Sequence, residues 1–124
     1  MKHVVAWFEI PVSDIRRARN FYQSVFNIGM LELNLEGDLR MALFPVEAGG
    51  IGGALCQHPV FYHPGKAGPL VYLNADPDLA AVLDRVQLNG GNVIIAKRQI
   101  SPERGFMGVF EDSEGNRIAL HSSG

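Results

Sequence analysis

Three titratable side chains stand in or beside apolar stretches: Glu9 in WFEIPV, Tyr72 in PLVYLN and His121 in NRIALH. A carboxylate, a phenol and an imidazole are groups that move protons or orient a polar ligand, and an apolar setting is where proteins tune them for such work. As a metal set they are poor, because Tyr suits few divalent ions and only one imidazole is present. The structural alternative is that Glu9 pairs with a cation such as Lys97, that Tyr72 packs with its hydroxyl satisfied, and that His121 ends a strand near solvent.

The other reactive residue types are scattered. Cys56 has no adjacent His or Lys to activate it, so a small buried hydrophobe is the expectation. His58 and His63 flank a proline-rich stretch with Tyr62, and His3 lies close to the start. Lys97 and Arg98 could meet an anionic ligand or simply be solvated. The glycines of GGIGGALC lack the Gly-Lys-Ser/Thr ending of a phosphate cradle and are expected to permit a bulge or tight turn.

The elements that must position these groups are legible from periodicity. From Ile15, the residues Ile15, Ala18, Phe21, Tyr22, Val25 and Phe26 recur at the spacing of one helical face, with Ser13 or Asp14 as cap. A second helix carries Leu79, Val82, Leu83 and Val86 as its stripe, with Asp76 at the cap, Pro77 in the first turn and Gly90 beyond the end. Alternation and β-branched runs predict strands over 3–10, 29–35, 39–45, 51–57, 69–74, 92–97, 105–111 and 117–121. Glu36-Gly37-Asp38 and Asp112-Ser113-Glu114-Gly115-Asn116 supply hairpin turns. The segment 57–69 reads as a linker or as a flap.

The order is therefore βαβββ twice. Residues 1–62 form a first module and 63–124 a second, and halves this short must share a core to be stable. The 47% hydrophobic and 19% charged composition is that of an ordinary globular domain. A net charge of −2 with dispersed Lys and Arg argues against a nucleic-acid partner. No apolar run reaches the roughly 20 residues of a membrane span. Glu9 and Pro11 interrupt the early apolar stretch, so a signal peptide is not expected, and the single cysteine forms no internal disulfide. A cytoplasmic protein is the expectation.

At this point the chain resembles the vicinal oxygen chelate superfamily, which includes glyoxalase I, the bleomycin-resistance proteins and the extradiol dioxygenases. The resemblance rests on FEIPVSDIRRARNFYQSVFNI, similar to the family's V-x-D followed by a helix with F-Y. It rests equally on FEDSEGNRIAL, similar to the closing D-P-x-G-N hairpin with Ser113 in place of Pro. It implies an α+β fold in which tandem βαβββ modules form a curved mixed sheet around a cleft, often completed by a homodimer.

The resemblance also implies where a divalent cation would be chelated, one ligand on each of four strands. Seven residues before Asp14 stands Trp7, six before Asp76 stands Leu70, and after the closing turn stands Ala119. The fourth position falls in GGALCQ, at Leu55, Cys56 or Gln57. Trp, Leu and Ala offer no metal-binding lone pair. Glu9, Tyr72 and His121 each lie two residues beyond such a position, hence on the same strand face.

These readings converge on a small-molecule binding protein of the bleomycin-resistance type without the usual metal ligands and with no cofactor. Its ligand face would carry Trp7, Glu9, Cys56, Leu70, Tyr72, Lys97, Ala119 and His121, with aromatic surface from Trp7, Phe8 or Phe61. The alternative is a lyase, isomerase or dioxygenase whose catalytic candidates are Glu9, Tyr72 and His121, with a divalent metal only if the site is displaced.

Overall fold

The computed structural model describes all 124 residues. Its order is β1 (Trp7–Pro11), α1 (Ile15–Phe26), β2 (Leu31–Asn34), β3 (Arg40–Leu43), β4 (Gly52–Gln57), β5 (Tyr72–Asn74), α2 (Leu79–Leu88), β6 (Asn92–Ser101), β7 (Gly105–Glu111) and β8 (Arg117–Ser122). The strands form two four-stranded sheets, β1-β4-β3-β2 and β5-β8-β7-β6, each with one parallel pair (β1 with β4, β5 with β8) and the rest antiparallel. This is the α+β arrangement expected from the doubled βαβββ order.

Each helix lays its apolar stripe on its own sheet. Ile15, Ala18, Phe21, Tyr22 and Val25 of α1 and Leu79, Val82, Leu83 and Val86 of α2 are buried. They join Ile10, Leu55, Phe110, Ile118 and Leu120 in one core that spans both modules, with α1 packed against α2. One core therefore serves both modules.

Several element ends differ from the sequence reading. The first strand begins at Trp7 rather than at residue 3, because its partner β4 starts at Gly52, directly opposite Trp7. A segment without a neighbour has nothing to complete its ladder. For the same reason β5 spans only Tyr72–Asn74, while β6 continues to Ser101 because β7 keeps pairing as far as Ser101↔Gly105. The α1 cap is Asp14, which accepts from the Arg17 amide at 3.1 Å. The α2 cap is Asp78, not Asp76: its side chain accepts from the Ala80 amide at 3.0 Å, while Asp76 accepts from the Ser123 amide.

Of the glycines in GGIGGALC, Gly49 sits in the expected turn at φ 83°, while Gly52 and Gly53 of β4 serve a different purpose. A Cβ on Gly53 would collide with the Phe8 ring, and one on Gly52 would lie 2.9 Å from Cζ3 of Trp7. The register sets Trp7 beside Gly52 and Phe8 beside Gly53. Each aromatic ring of β1 therefore covers a bare stretch of the neighbouring strand, one ring on each face of the sheet.

The two signature segments meet at the seam between modules. Tyr22 of α1 donates to Asp112 Oδ2 at 2.6 Å, and Asp112 also accepts from the Glu114 and Asn116 amides and from Asn116 Nδ2. Asn116 Nδ2 further donates to the Pro11 carbonyl at 2.7 Å. Glu114, whose side chain is buried, accepts from the Ser13 and Asp14 amides and pairs with Arg17 at 2.7 Å. The closing hairpin of the second module thus caps the first helix of the first module.

Candidate functional site

The hydrogen bonds superpose one module on the other and settle the strand registers. Val12 N–H donates to the Cys56 carbonyl at 2.9 Å, and Ala75 N–H donates to that of His121 at 2.8 Å. Gln57 Oε1 accepts from the Ile15 amide at 2.7 Å, and Ser122 Oγ accepts from the Leu79 amide at 3.1 Å. Cys56 therefore corresponds to His121 and Gln57 to Ser122. Glu9 is beside Ala54 as Tyr72 is beside Ala119, so Glu9 corresponds to Tyr72, Ala54 to Ala119 and Trp7 to Leu70. The second module carries one extra residue between strand and helix, Asp76-Pro77-Asp78 against Ser13-Asp14, which moves its cap.

This correspondence bears on the fourth position that the family resemblance implies. Leu55 pairs with Ile10, and both are buried in the helix-side core; Cys56 lies one step beyond, and Gln57 is engaged with the α1 amide. The counterpart of Ala119 is Ala54. The positions where the fold family would place metal ligands accordingly hold Trp7, Ala54, Leu70 and Ala119. None has a lone pair suited to a cation. Nowhere in the chain do three His, Cys, Asp or Glu side chains converge in a way that could hold a metal ion. These residues do not fit the family's metal.

One step further along each of the four strands stands a functional side chain: Glu9, Cys56, Tyr72 and His121. In each sheet they occupy the outer face, away from the helices, because alternation sends Ile10, Leu55 and Leu120 inward. The two pairs have different surroundings. Glu9 Oε1 accepts from the Tyr62 hydroxyl at 2.6 Å, and Glu9 Oε2 accepts from Trp7 Nε1 at 3.2 Å. Burial and the neighbouring Glu9 charge push the Cys56 thiol up to about 12, so it stays a neutral thiol. Hydrogen bonding to Glu9, ahead of desolvation, raises the Tyr62 phenol, which stays a donor. Met41 and Leu43, paired with Cys56 and Ala54, continue this face as apolar surface.

Tyr62 is the member that the sequence places only in a segment read as a linker or a flap. Its loop is ordered by its histidines: His58 Nδ1 accepts from the Val60 and Phe61 amides at 3.1 and 3.3 Å, and His63 Nε2 donates to the Val60 carbonyl at 2.8 Å. His58 and His63 are therefore occupied in shaping the loop that brings Tyr62 to Glu9. A tyrosine in a Pro-rich segment between two histidines was the only signal, and it does not identify its target.

On the other sheet, Tyr72 is half-exposed, and Leu70 packs on Met107, Val109 and Ala119. His121 Nε2 donates to the Arg104 carbonyl at 2.6 Å. Tyr72 and His121 do not meet Glu9: β1 packs against neither β5 nor β8. The cleft of about 440 Å³ that Glu9 lines is shared with the 63–69 segment, Asn116 and Arg117 instead. Lys97 joins neither group. Its ammonium binds Asp78 at 2.7 Å and sits 4.6 Å above the Phe106 ring, on the helix side. Phe8 also faces the helices, against Phe44, while Phe61 is exposed at the loop tip and His3 precedes the first strand.

Comparison with known proteins agrees with this architecture. A protein 28% identical over 94% of this chain and 91% of its own length is a glyoxylase-like domain-containing protein of Didymella fabae. Among solved structures, TnmS3, an antibiotic binding protein from Streptomyces sp. CB03234, matches with a TM-score of 0.71 and 23% identity, over 98% of this chain and 96% of that one. A glyoxalase-related enzyme from Fulvimarina pelagi matches with a TM-score of 0.72 and 17% identity, over 98% and 88%. These structures share the fold. Residues 2–120 match the family model of the glyoxalase/bleomycin resistance protein/dioxygenase superfamily, and the chain belongs to that superfamily.

Proposed function

We propose that this chain is a small-molecule binding protein of the superfamily that works without the usual metal-ligand set. The observation that carries the reading is the occupancy of the four inherited positions by Trp7, Ala54, Leu70 and Ala119. The outer face of the first sheet has the mixture a ligand site uses, apolar surface with a few fixed polar groups. Trp7 offers a ring 45% exposed and held by Gly52 beneath it and Glu9 beside it. The antibiotic-binding protein of the same fold supports the reading by analogy only.

A homodimer belongs to this proposal. Leu31, Trp7, Tyr72 and Ile95 are exposed apolar residues on the outer faces, and a second copy laid across them would enclose the site. Metal analysis and a thermal-shift screen of the purified protein test the reading: no stoichiometric metal, with stabilisation by small aromatic compounds, is the expected result. Stoichiometric metal together with a turnover abolished by a chelator would overturn it.

A second reading has one observation in its favour. Glu9 with Tyr72, and Cys56 with His121, occupy corresponding places, so a dimer could bring the two sets into one cleft and assemble a displaced lyase, isomerase or dioxygenase site. Glu9→Gln leaving both metal content and turnover untouched would eliminate it.

A further inference from the structure

We propose that the Trp7–Glu9–Tyr62 cluster recognises a small organic cation, a protonated amine or quaternary ammonium group carried on an aromatic or apolar body. The inference rests on the small-molecule reading above and names its ligand class. Its origin is the way the Glu9 charge is held. The four ion pairs of the chain join Arg17 to Glu114, Arg19 to Glu32, Lys66 to Glu111 and Lys97 to Asp78, and Glu9 takes part in none of them. Of the two cations that line its cleft, Lys66 pairs with Glu111 at 3.0 Å, and Arg117, which donates to the Gly68 carbonyl at 3.0 Å, forms no ion pair with Glu9.

The partners of Glu9 are instead two neutral aromatic donors, Trp7 Nε1 and the Tyr62 hydroxyl, one on each carboxylate oxygen. Such donors orient a carboxylate without cancelling its charge. Each oxygen keeps acceptor capacity, since an ionised carboxylate offers about four lone-pair sites. An anion in no ion pair, beside aromatic rings and an apolar sheet face, is suited to an ammonium group: the carboxylate meets the charge, and the rings meet the alkyl or aryl surface. The neutral Cys56 thiol adds no competing charge.

Trp7 is the only tryptophan of the chain, so its emission reports this site directly. Benzyltrimethylammonium, benzyl alcohol and benzoate are titrated against the full-length protein while tryptophan emission and melting temperature are followed. The expected result is a saturable response to benzyltrimethylammonium at least about tenfold tighter than to the other two. Glu9→Gln should remove that preference while leaving the melting temperature nearly unchanged. Tyr62→Phe, which keeps the ring and the charge, should retain it.

Benzyl alcohol matching the cation in the parent protein would overturn the cation proposal and leave the small-molecule reading standing. So would a preference that persists in Glu9→Gln, or one lost in Tyr62→Phe alone. No saturable response to any of the three, together with no stabilising compound in the wider screen, would remove both readings at once.

Discussion

Two groups of carboxylates in this molecule are held in opposite ways. At the seam between modules, Asp112 and Glu114 are buried and surrounded by donors from both halves of the chain. On the outer face of the first sheet, Glu9 is exposed and held by only two side chains, neither of them charged. A buried carboxylate whose lone pairs are all engaged has no capacity left for a ligand, and its work is to lock the fold. A carboxylate oriented by neutral donors and open to solvent retains both charge and acceptor capacity. The same residue type therefore marks structure in one place and a candidate site in the other.

Within the seam, the two carboxyls shift in opposite directions. Desolvation raises the Asp112 carboxyl, against hydrogen bonds from Tyr22 and Asn116 that only partly offset it. Burial also opposes the charge on Glu114, yet Arg17 and the Asp14 and Ser13 amides hold its carboxyl below the ordinary range. By linkage, Glu114 contributes stability above its unfolded pKa that is lost as pH falls through its folded one. Asp112 has the opposite sign: its ionisation costs stability as pH rises past the unfolded value.

The contrast can be broken by substitution, and the largest effect is expected at the seam. Asp112→Ala strands the Tyr22 hydroxyl and the Asn116 donors and should destabilise by about 3 kcal/mol or more, lowering Tm by roughly 10 °C. Thermal unfolding followed by circular dichroism checks it, and an unchanged Tm would remove Asp112 from the locking role. Glu114→Gln should cost about 1–3 kcal/mol near neutral pH. Its deficit should narrow as pH falls below about 4.5, where the parent loses the same contribution. Denaturant titrations of both proteins across that range measure the gap.

Gly53→Ala tests how rings and glycines interlock between β1 and β4. Its Cβ meets the Phe8 ring, so about 1–3 kcal/mol should be lost in chemical denaturation. The smallest effect on stability is expected at Glu9. Glu9→Gln should change the unfolding free energy by less than about 0.5 kcal/mol. A large destabilisation there would place Glu9 with Asp112 and Glu114 among the locking groups and erase the distinction.

How much of this was legible in the chain differs from element to element. The helices were read from Ile15 and Leu79 onward because a 3.6-residue period survives without tertiary context. The outer-face position of Glu9, Tyr72 and His121 followed from the period of two. In GGALCQ, by contrast, five consecutive residues are buried, so no alternation between faces exists to read. Only the pairing of Glu9 with Ala54 selected the register and made Ala54 the counterpart of Ala119. The α2 cap was misplaced because Asp76 and Asp78 are chemically equal candidates, and the length of the connection to β5 decides between them.

The sequence by itself determined the doubled βαβββ plan and, through its motifs, the superfamily. These depend on spacing along the chain, which local periodicity and motif carry in full. Tertiary structure alone decided which polar groups meet. Tyr62 reaches Glu9 across 53 residues, Lys97 turns to Asp78 instead, and Tyr72 and His121 lie on a different sheet. Contacts between distant residues depend on how loops close and sheets pack, and no local pattern of side chains encodes them.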